Sequence, residues 1–366
     1  MRDYTVACVE CGQETGYPAY RCPACAGPLA LRLAPAGDCD PSGDPGIWRY
    51  AGLLPRTASR LTLGEGGTPL LPYDRNTFVK LESLNPSLSF KDRAMALAAS
   101  VATDLRLDGL VLASTGNAAV SAATYAAAAG LRCRVFCATG SNATGKLDTA
   151  RVHGAEVDLV DGEYSDAYAA AAKAEGEGWL NVTTTYRNPL LTEAYRPVAA
   201  ELLADLGGVP DTVVVPVGAG PLLRGIWLGF TDLREAGLID RLPRMVGVQA
   251  EACAPLARAW AAGDGAAGDW TTSLREPVPT APTAAAAIAD ALRGYEDEGL
   301  LTLAAARDSG GAIVAVSESA IAAAGRDLAC RGLYVEPAAA AALAAPSQGR
   351  TVAILTGHGA KERVPA

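Results

Sequence analysis

Histidine is almost missing from this chain. His153 and His358 are the only two in 366 residues. That leaves little for a histidine base or a multi-histidine metal site. Positive charge is short as well: 31 Lys and Arg face 40 Asp and Glu, a net charge of −9. Nucleic acid is thereby excluded as a default partner, because phosphate backbones demand a basic footprint. Small anionic substrates are not excluded, since they need only local positive charge. Bulky apolar runs are absent too, and none reaches the roughly 20 residues that cross a bilayer. Half of the chain is hydrophobic, but alanine carries much of that share, which points to tightly packed helices. Met1-Arg2-Asp3-Tyr4 begins no apolar signal core. No repeat of solenoid length stands out. A cytoplasmic chain of two or three domains is expected, with neither membrane nor nucleic acid as partner.

What is present begins with cysteine. Nine are scattered or paired along the chain, an odd number that suits a reducing compartment. Cys8-Val9-Glu10-Cys11 and Cys22-Pro23-Ala24-Cys25 form two CxxC knuckles with ten residues between them. Each knuckle offers two thiolates, and together they can close a tetrahedral site. Residues 1–34 are therefore expected to be a zinc-ribbon-like segment with a structural zinc on Cys8, Cys11, Cys22 and Cys25. Residues 35–60 are rich in Pro, Gly and Asp and read as a linker.

From residue 61 strands and helices alternate. Apolar runs at 109–113, 133–137, 155–160, 212–217, 245–249 and 352–356 read as buried strands, joined by a strand at 77–82. Alanine-rich stretches between them read as helices at 91–102, 119–129, 164–173 and 283–291, and 145–153 reads as helical too. Continuous apolar strands separated by helices mean parallel sheets covered on both faces, an α/β fold.

Three loops and one lysine carry the chemistry. In Asn85-Pro86-Ser87-Leu88-Ser89-Phe90-Lys91-Asp92-Arg93 a turn leads into a helix, with Ser89 as its expected cap. Lys91 is held near the start of that helix, where a desolvated amine can serve as nucleophile or base. Loops beyond the carboxyl ends of parallel strands bind ligands. Ser114-Thr115-Gly116-Asn117 can cradle a carboxylate or phosphate, or simply cap a helix. Gly218-Ala219-Gly220-Pro221-Leu222 resembles a phosphate cradle, though no Gly-Lys-Ser/Thr closes it as in a Walker loop. Thr356-Gly357-His358-Gly359 can offer a neutral hydroxyl to a heteroaromatic nitrogen.

These motifs, in this order and at these distances, resemble threonine synthases, which are pyridoxal-phosphate enzymes of the tryptophan-synthase-β-like fold type II. Gly64-Glu65-Gly66-Gly67-Thr68-Pro69-Leu70, Gly247-Val248-Gln249-Ala250-Glu251 and Val335-Glu336-Pro337-Ala338 add to the likeness, which covers essentially the whole chain. The resemblance implies two three-layer parallel-sheet domains over residues 61–366, the smaller and mobile one at about 92–205, with a homodimer as the family expectation. It implies that Lys91 holds pyridoxal 5'-phosphate covalently and shuttles protons, and that Asn117 bonds the ring hydroxyl. The backbone of Gly218, Ala219, Gly220, Pro221 and Leu222 would take the cofactor phosphate, and Thr356 would face the pyridine nitrogen. Ser114 and Thr115 would take the α-carboxylate of an amino-acid substrate. Asn181 and Arg187, six positions apart as in the family, would take its side-chain phosphate.

Leu88, Pro221 and the 183–195 stretch depart from the family pattern. They leave open a synthase for phosphoserine or another amino acid, of cysteate type or from specialised metabolism. A threonine or serine dehydratase is a further alternative, and a catalytically silent binding protein of the same fold another. The leading expectation is a lyase that converts O-phosphohomoserine and water to threonine and phosphate.

Overall fold

Three short strands at the N-terminus pair antiparallel in the order β2-β1-β3, with β1 at Tyr4–Cys8, β2 at Glu14–Thr15 and β3 at Leu29–Leu33. They open a computed structural model that describes all residues except 38, 140–143, 177, 184, 264–268 and 362–366. The chain divides into two compact units. The first contains Met1–Gly66 and Asn85–Tyr195, so the cysteine-bearing sheet belongs to it. The second contains Gly67–Leu84 and Arg196–Glu362.

The stretch expected to be a linker is packed instead. A 3-10 helix spans Gly46–Leu53 and buries Ile47, Trp48, Tyr50 and Leu53, while the Trp48 indole donates to the Leu61 carbonyl at 2.8 Å. Turn-rich composition marked the bends correctly, but four large apolar side chains decide where the segment lies. Strands β4 (Leu70–Pro72) and β5 (Thr77–Lys80) belong to the second unit.

The sheet of the first unit is parallel. Its elements are α1 (Lys91–Asp104), β6 (Gly109–Ala113), α2 (Asn117–Ala129), β7 (Arg132–Ala138), α3 (Thr144–Val152), β8 (Glu156–Val160), α4 (Tyr164–Lys173), β9 (Trp179–Asn181) and α5 (Leu190–Glu193). Strand order is β8-β7-β6-β9. Steps from β6 to β7 and from β7 to β8 run the same way, so right-handed crossovers lay α2 and α3 on one face. The step from β8 to β9 runs back past β6 and lays α4 on the other face. Chain direction therefore reverses between β6 and β9, and a crevice opens at their carboxyl ends.

The second unit repeats the plan. It contains α6 (Pro197–Leu206), β10 (Thr212–Pro216), α7 (Pro221–Glu235), β11 (Arg244–Ala250), α8 (Pro255–Ala262), α9 (Trp270–Arg275), α10 (Gly299–Asp308), β12 (Ala312–Val316), α11 (Glu318–Cys330), α12 (Pro337–Ala344) and β13 (Thr351–Ile354). The sheet order is β12-β11-β10-β13-β5-β4, parallel except for β4. Its reversal lies between β10 and β13. Helix α12, with the sequence PAAAAALA, packs its alanines against Val214, Val246 and Val248, where small side chains let helix and sheet approach closely. Lys80 is fully buried in this unit; its ammonium meets Glu201 at 2.9 Å, Asp205 at 3.1 Å and the Thr68 carbonyl at 2.6 Å.

The helix expected over 283–291 is a single 3-10 turn, Ala286–Ile288. Side chains there compete for the backbone: the Thr283 hydroxyl accepts from the Ala285 N–H, and Asp290 accepts from the Leu292 N–H. Among the described residues no helix is long and apolar enough to cross a membrane.

Candidate active site

Lys91 is the first residue of α1, and Phe90 precedes it as the cap. The expected cap at Ser89 does not form. Its hydroxyl is fully buried and has no hydrogen-bond partner among the described residues. The helix start is held instead by Asp92, which accepts from the Ser87 N–H, the Ser87 hydroxyl and the Ser121 hydroxyl. Ser121 lies in α2, so one buried carboxylate ties the two helices beside the lysine. The Lys91 ammonium sits over the Phe90 ring at 4.5 Å, and that ring packs on Tyr195 at 5.5 Å. Leu88, where the family pattern has glycine, adopts φ +65°. A side chain there is strained.

Glu65 supports the same unit from the Gly64-Glu65-Gly66 turn. It is fully buried and accepts from the Tyr125 hydroxyl at 2.8 Å, the Leu63 N–H at 3.0 Å and the Thr62 hydroxyl at 3.1 Å.

Two loops flank the reversal of the first sheet. After β6 come Ser114 and Thr115, with Asn117 opening α2. The Ser114 hydroxyl accepts from the Gly116 N–H at 3.1 Å and the Ala119 N–H at 3.2 Å. It is thus a helix cap whose own proton is still available to donate. After β9 come Thr183 and Thr185, both buried, and Thr183 accepts from the Ala113 N–H at 3.1 Å. The sequence reading missed these two, because a three-residue strand carries no visible period. Thr184 lies outside the described residues.

Asn181 and Arg187 are brought together, and both are given to Glu175. Arg187 donates to both oxygens of that carboxylate, from Nε at 2.9 Å and from Nη2, while Asn181 Nδ2 donates at 2.9 Å. The guanidinium lies between the rings of Tyr20 and Tyr168, 5.5 and 5.4 Å from their centroids. Tyr168 belongs to α4, so this cluster stands on the α4 face of the sheet, opposite α2. Burial disfavours the Arg187 charge, but Glu175 and the Tyr168 hydroxyl outweigh it and raise the guanidinium above its ordinary value. Nothing in the sequence around Glu175, a lone carboxylate in a polar turn, announced it.

Glycine makes the corresponding feature of the second unit. Gly218 to Gly220 follow β10 and lead into α7. Gly220 has φ +99°, and a Cβ there would run into the Thr302 side chain. Thr302 donates to the Ala219 carbonyl, and Gln249 donates to the Gly218 carbonyl at 3.3 Å. Pro221 takes the first helical position, where a missing N–H is tolerated, and the N–H groups of Leu222 and Leu223 have no intrahelical acceptor. A helix start of this kind can cradle an anion. Thr356 is buried two residues past β13, level with Val217 at the end of the adjacent β10 by the pairing of Val214 with Ala353.

The four N-terminal thiols converge. Sulfur separations are 3.5 Å for Cys8–Cys25 and Cys11–Cys25, and 3.6 Å for Cys11–Cys22. All four sulfurs lie within 4.8 Å of one another. Zinc–sulfur bonds of about 2.3 Å in a tetrahedron require about 3.8 Å between sulfurs, so the cluster can hold a metal ion. Burial opposes it, but backbone N–H groups of Cys25 and Ala24 bring the Cys22 thiol down to about 7.

A family model described as "Pyridoxal-phosphate dependent enzyme" matches residues 61–357. The threonine synthase of Methanosarcina acetivorans is 33% identical over 364 residues, covering 93% of this chain and 85% of its own length. The threonine synthase of Synechocystis is 35% identical, covering 82% and 78%. Among solved structures, threonine deaminase isoform 2 of Solanum lycopersicum superposes with a TM-score of 0.66 at 20% identity, covering 89% of this chain and 94% of that one, and shows the shared fold.

Proposed function

The chain belongs to the pyridoxal-phosphate-dependent enzyme family, and from that premise we propose the roles of its residues in a threonine synthase-like lyase reaction. The substrate is an amino-acid phosphate ester, for which we take O-phosphohomoserine. The observation that supports the reading is the placement of Lys91: it opens a helix pinned by Asp92, two residues after Ser89, whose buried hydroxyl has no partner among the described residues. An orphaned buried donor wants a bound group, and the glycine cradle before α7 suits a phosphate. The residues therefore fit the cofactor.

Lys91 and Asn117 would hold the cofactor in the first unit. The N–H groups around Gly218, Ala219, Gly220 and Leu222 would take its phosphate, with Pro221 shaping the helix start, and Thr356 would take its ring nitrogen. Bound there, pyridoxal phosphate supplies an electron sink that makes bonds to the substrate's α- and β-carbons labile. A neutral hydroxyl at Thr356, in place of a carboxylate, leaves the nitrogen largely unprotonated and favours elimination and replacement over transamination.

Ser114 and Thr115 orient the substrate through its α-carboxylate. Lys91 Nζ takes one proton from Cα and one from Cβ, phosphate leaves from Cγ, one proton returns to Cγ, water adds its OH at Cβ and gives its proton to the phosphate, and the last proton returns to Cα. Asn181 and Arg187 are the proposed phosphate side. Glu175 already occupies them, so a substrate phosphate reaches them only by displacing that carboxylate. The four cysteines are proposed to hold a structural zinc, and the family resemblance supports a two-fold dimer in the cytoplasm, which sedimentation and fractionation check.

The test is turnover. The cofactor-loaded protein mixed with O-phosphohomoserine should release phosphate and form threonine in equal amounts. Phosphate release with 2-oxobutyrate would replace this reading with elimination and deamination. A spectral shift with phosphoserine and no turnover of O-phosphohomoserine would redirect it to another substrate.

A further inference from the structure

The ten residues between the two cysteine knuckles do more than join them. They carry Tyr17 and Tyr20, and both phenols reach residues 181–188. The Tyr20 hydroxyl accepts the Asn181 N–H at 2.8 Å, and the Tyr17 hydroxyl donates to Asn188 Oδ1 at 3.2 Å. Asn188 Nδ2 in turn donates to the Asn181 carbonyl at 2.7 Å, closing a ring of bonds around this segment.

β9 is an edge strand. Its outward N–H at Asn181 faces no neighbouring strand, and the Tyr20 phenol stands where a strand carbonyl would. The Tyr20 ring also covers Arg187. Val182, Thr183 and Thr185 thus lie between two residues bonded by the N-terminal segment, Asn181 and Asn188. Within that segment β1 is held by five pairs to β3, whereas the 12–21 loop that carries both tyrosines is joined to it by two pairs of β2, Val6 with Thr15 and Ala7 with Glu14, and by the edge-on contact of the Tyr17 ring with Tyr4. Cys11 and Cys22 bound the 12–21 loop on either side, and both belong to the thiol cluster.

We propose that Tyr17 and Tyr20 are positioning residues for the substrate loop after β9, and that metal on the four cysteines sets their position. The inference rests on the lyase reading above for its kinetic consequence, but not for its structural one.

The experiment uses the full-length, cofactor-loaded protein in three forms: parent, Tyr17→Phe/Tyr20→Phe, and parent stripped of metal by a chelator. Removing two hydroxyls that bridge to this loop should raise KM for O-phosphohomoserine roughly tenfold and leave kcat within about twofold. The cofactor's absorbance band should not move. Hydrogen–deuterium exchange should quicken over 179–188 in the variant and in the stripped protein, while α1 and α2 keep their protection. Returning zinc should restore the stripped protein and not the variant. An unchanged KM with faster exchange overturns the positioning role. Unchanged exchange at 179–188 after stripping overturns the metal's part in it. Exchange that quickens throughout the first unit also overturns the proposal, because it marks general loss of stability. If the parent does not turn over O-phosphohomoserine, the lyase reading falls and the exchange arm alone decides this inference.

Discussion

The two parallel sheets answer one topological situation with different donors. At the reversal of the first, the flanking loops present side-chain hydroxyls: Ser114 and Thr115 after β6, Thr183 and Thr185 after β9. At the reversal of the second, the loop presents backbone N–H groups from a glycine turn, with Thr356 beside it. Side-chain donors can be exchanged one residue at a time. Backbone donors cannot, because they are the chain itself. On the roles proposed above, substrate choice can therefore drift in the first unit while the glycine turn of the second stays as it is.

Lys91→Ala should break the comparison altogether. Loss of the amine removes the proposed nucleophile and proton carrier together, and turnover should fall by more than about a thousandfold. The absorbance band at about 410 nm expected of a cofactor held by that lysine should vanish with it. Gly220→Ala attacks the backbone side. It places a Cβ at φ +99° and against Thr302, adding about 1–3 kcal/mol of strain. Cofactor affinity should drop tenfold or more in a spectroscopic titration, with little change in substrate KM once the cofactor is saturating.

Ser114→Ala and Thr183→Ala attack the hydroxyl side. Each should raise substrate KM about tenfold and leave cofactor affinity alone; equal loss of both would erase the distinction between the two sheets. Glu175→Gln is smaller again. The ion pair it weakens is nearly buried, with side-chain exposures of 11% and 19%. Thermal unfolding should register about 2 kcal/mol lost, since Gln keeps part of the hydrogen bonding. Leu88 gives the finest test. Replacement by Val, which tolerates φ +65° less well than Leu, should cost about 1 kcal/mol more than replacement by Gly in denaturant titration.

The fold was legible because its strands are long apolar runs bounded by turns, and β6, β7, β8 and β10 fall within a residue or two of expectation. The glycine loop and the two CxxC knuckles were legible because special backbone geometry and thiol spacing leave marks in composition. β9, β12 and the helical break at 283–291 were not. β9 has three residues, and alanine runs say helix wherever local side-chain bonds do not intervene. Glu175, Tyr17 and Tyr20 were invisible for another reason. Their roles depend on partners 6 to 171 residues away, and no local pattern encodes such a meeting.

The Tyr20 phenol on the edge of β9 also bears on solubility. An uncovered strand edge is a template for pairing with other chains. Trp179 and Leu180 would make this one sticky. A chain shortened to begin after residue 34 would keep every residue proposed for catalysis and lose the cover over that edge. It should precipitate or form higher-order aggregates as it folds, so that the N-terminal segment is needed to obtain dispersed protein even where its metal contributes nothing to turnover.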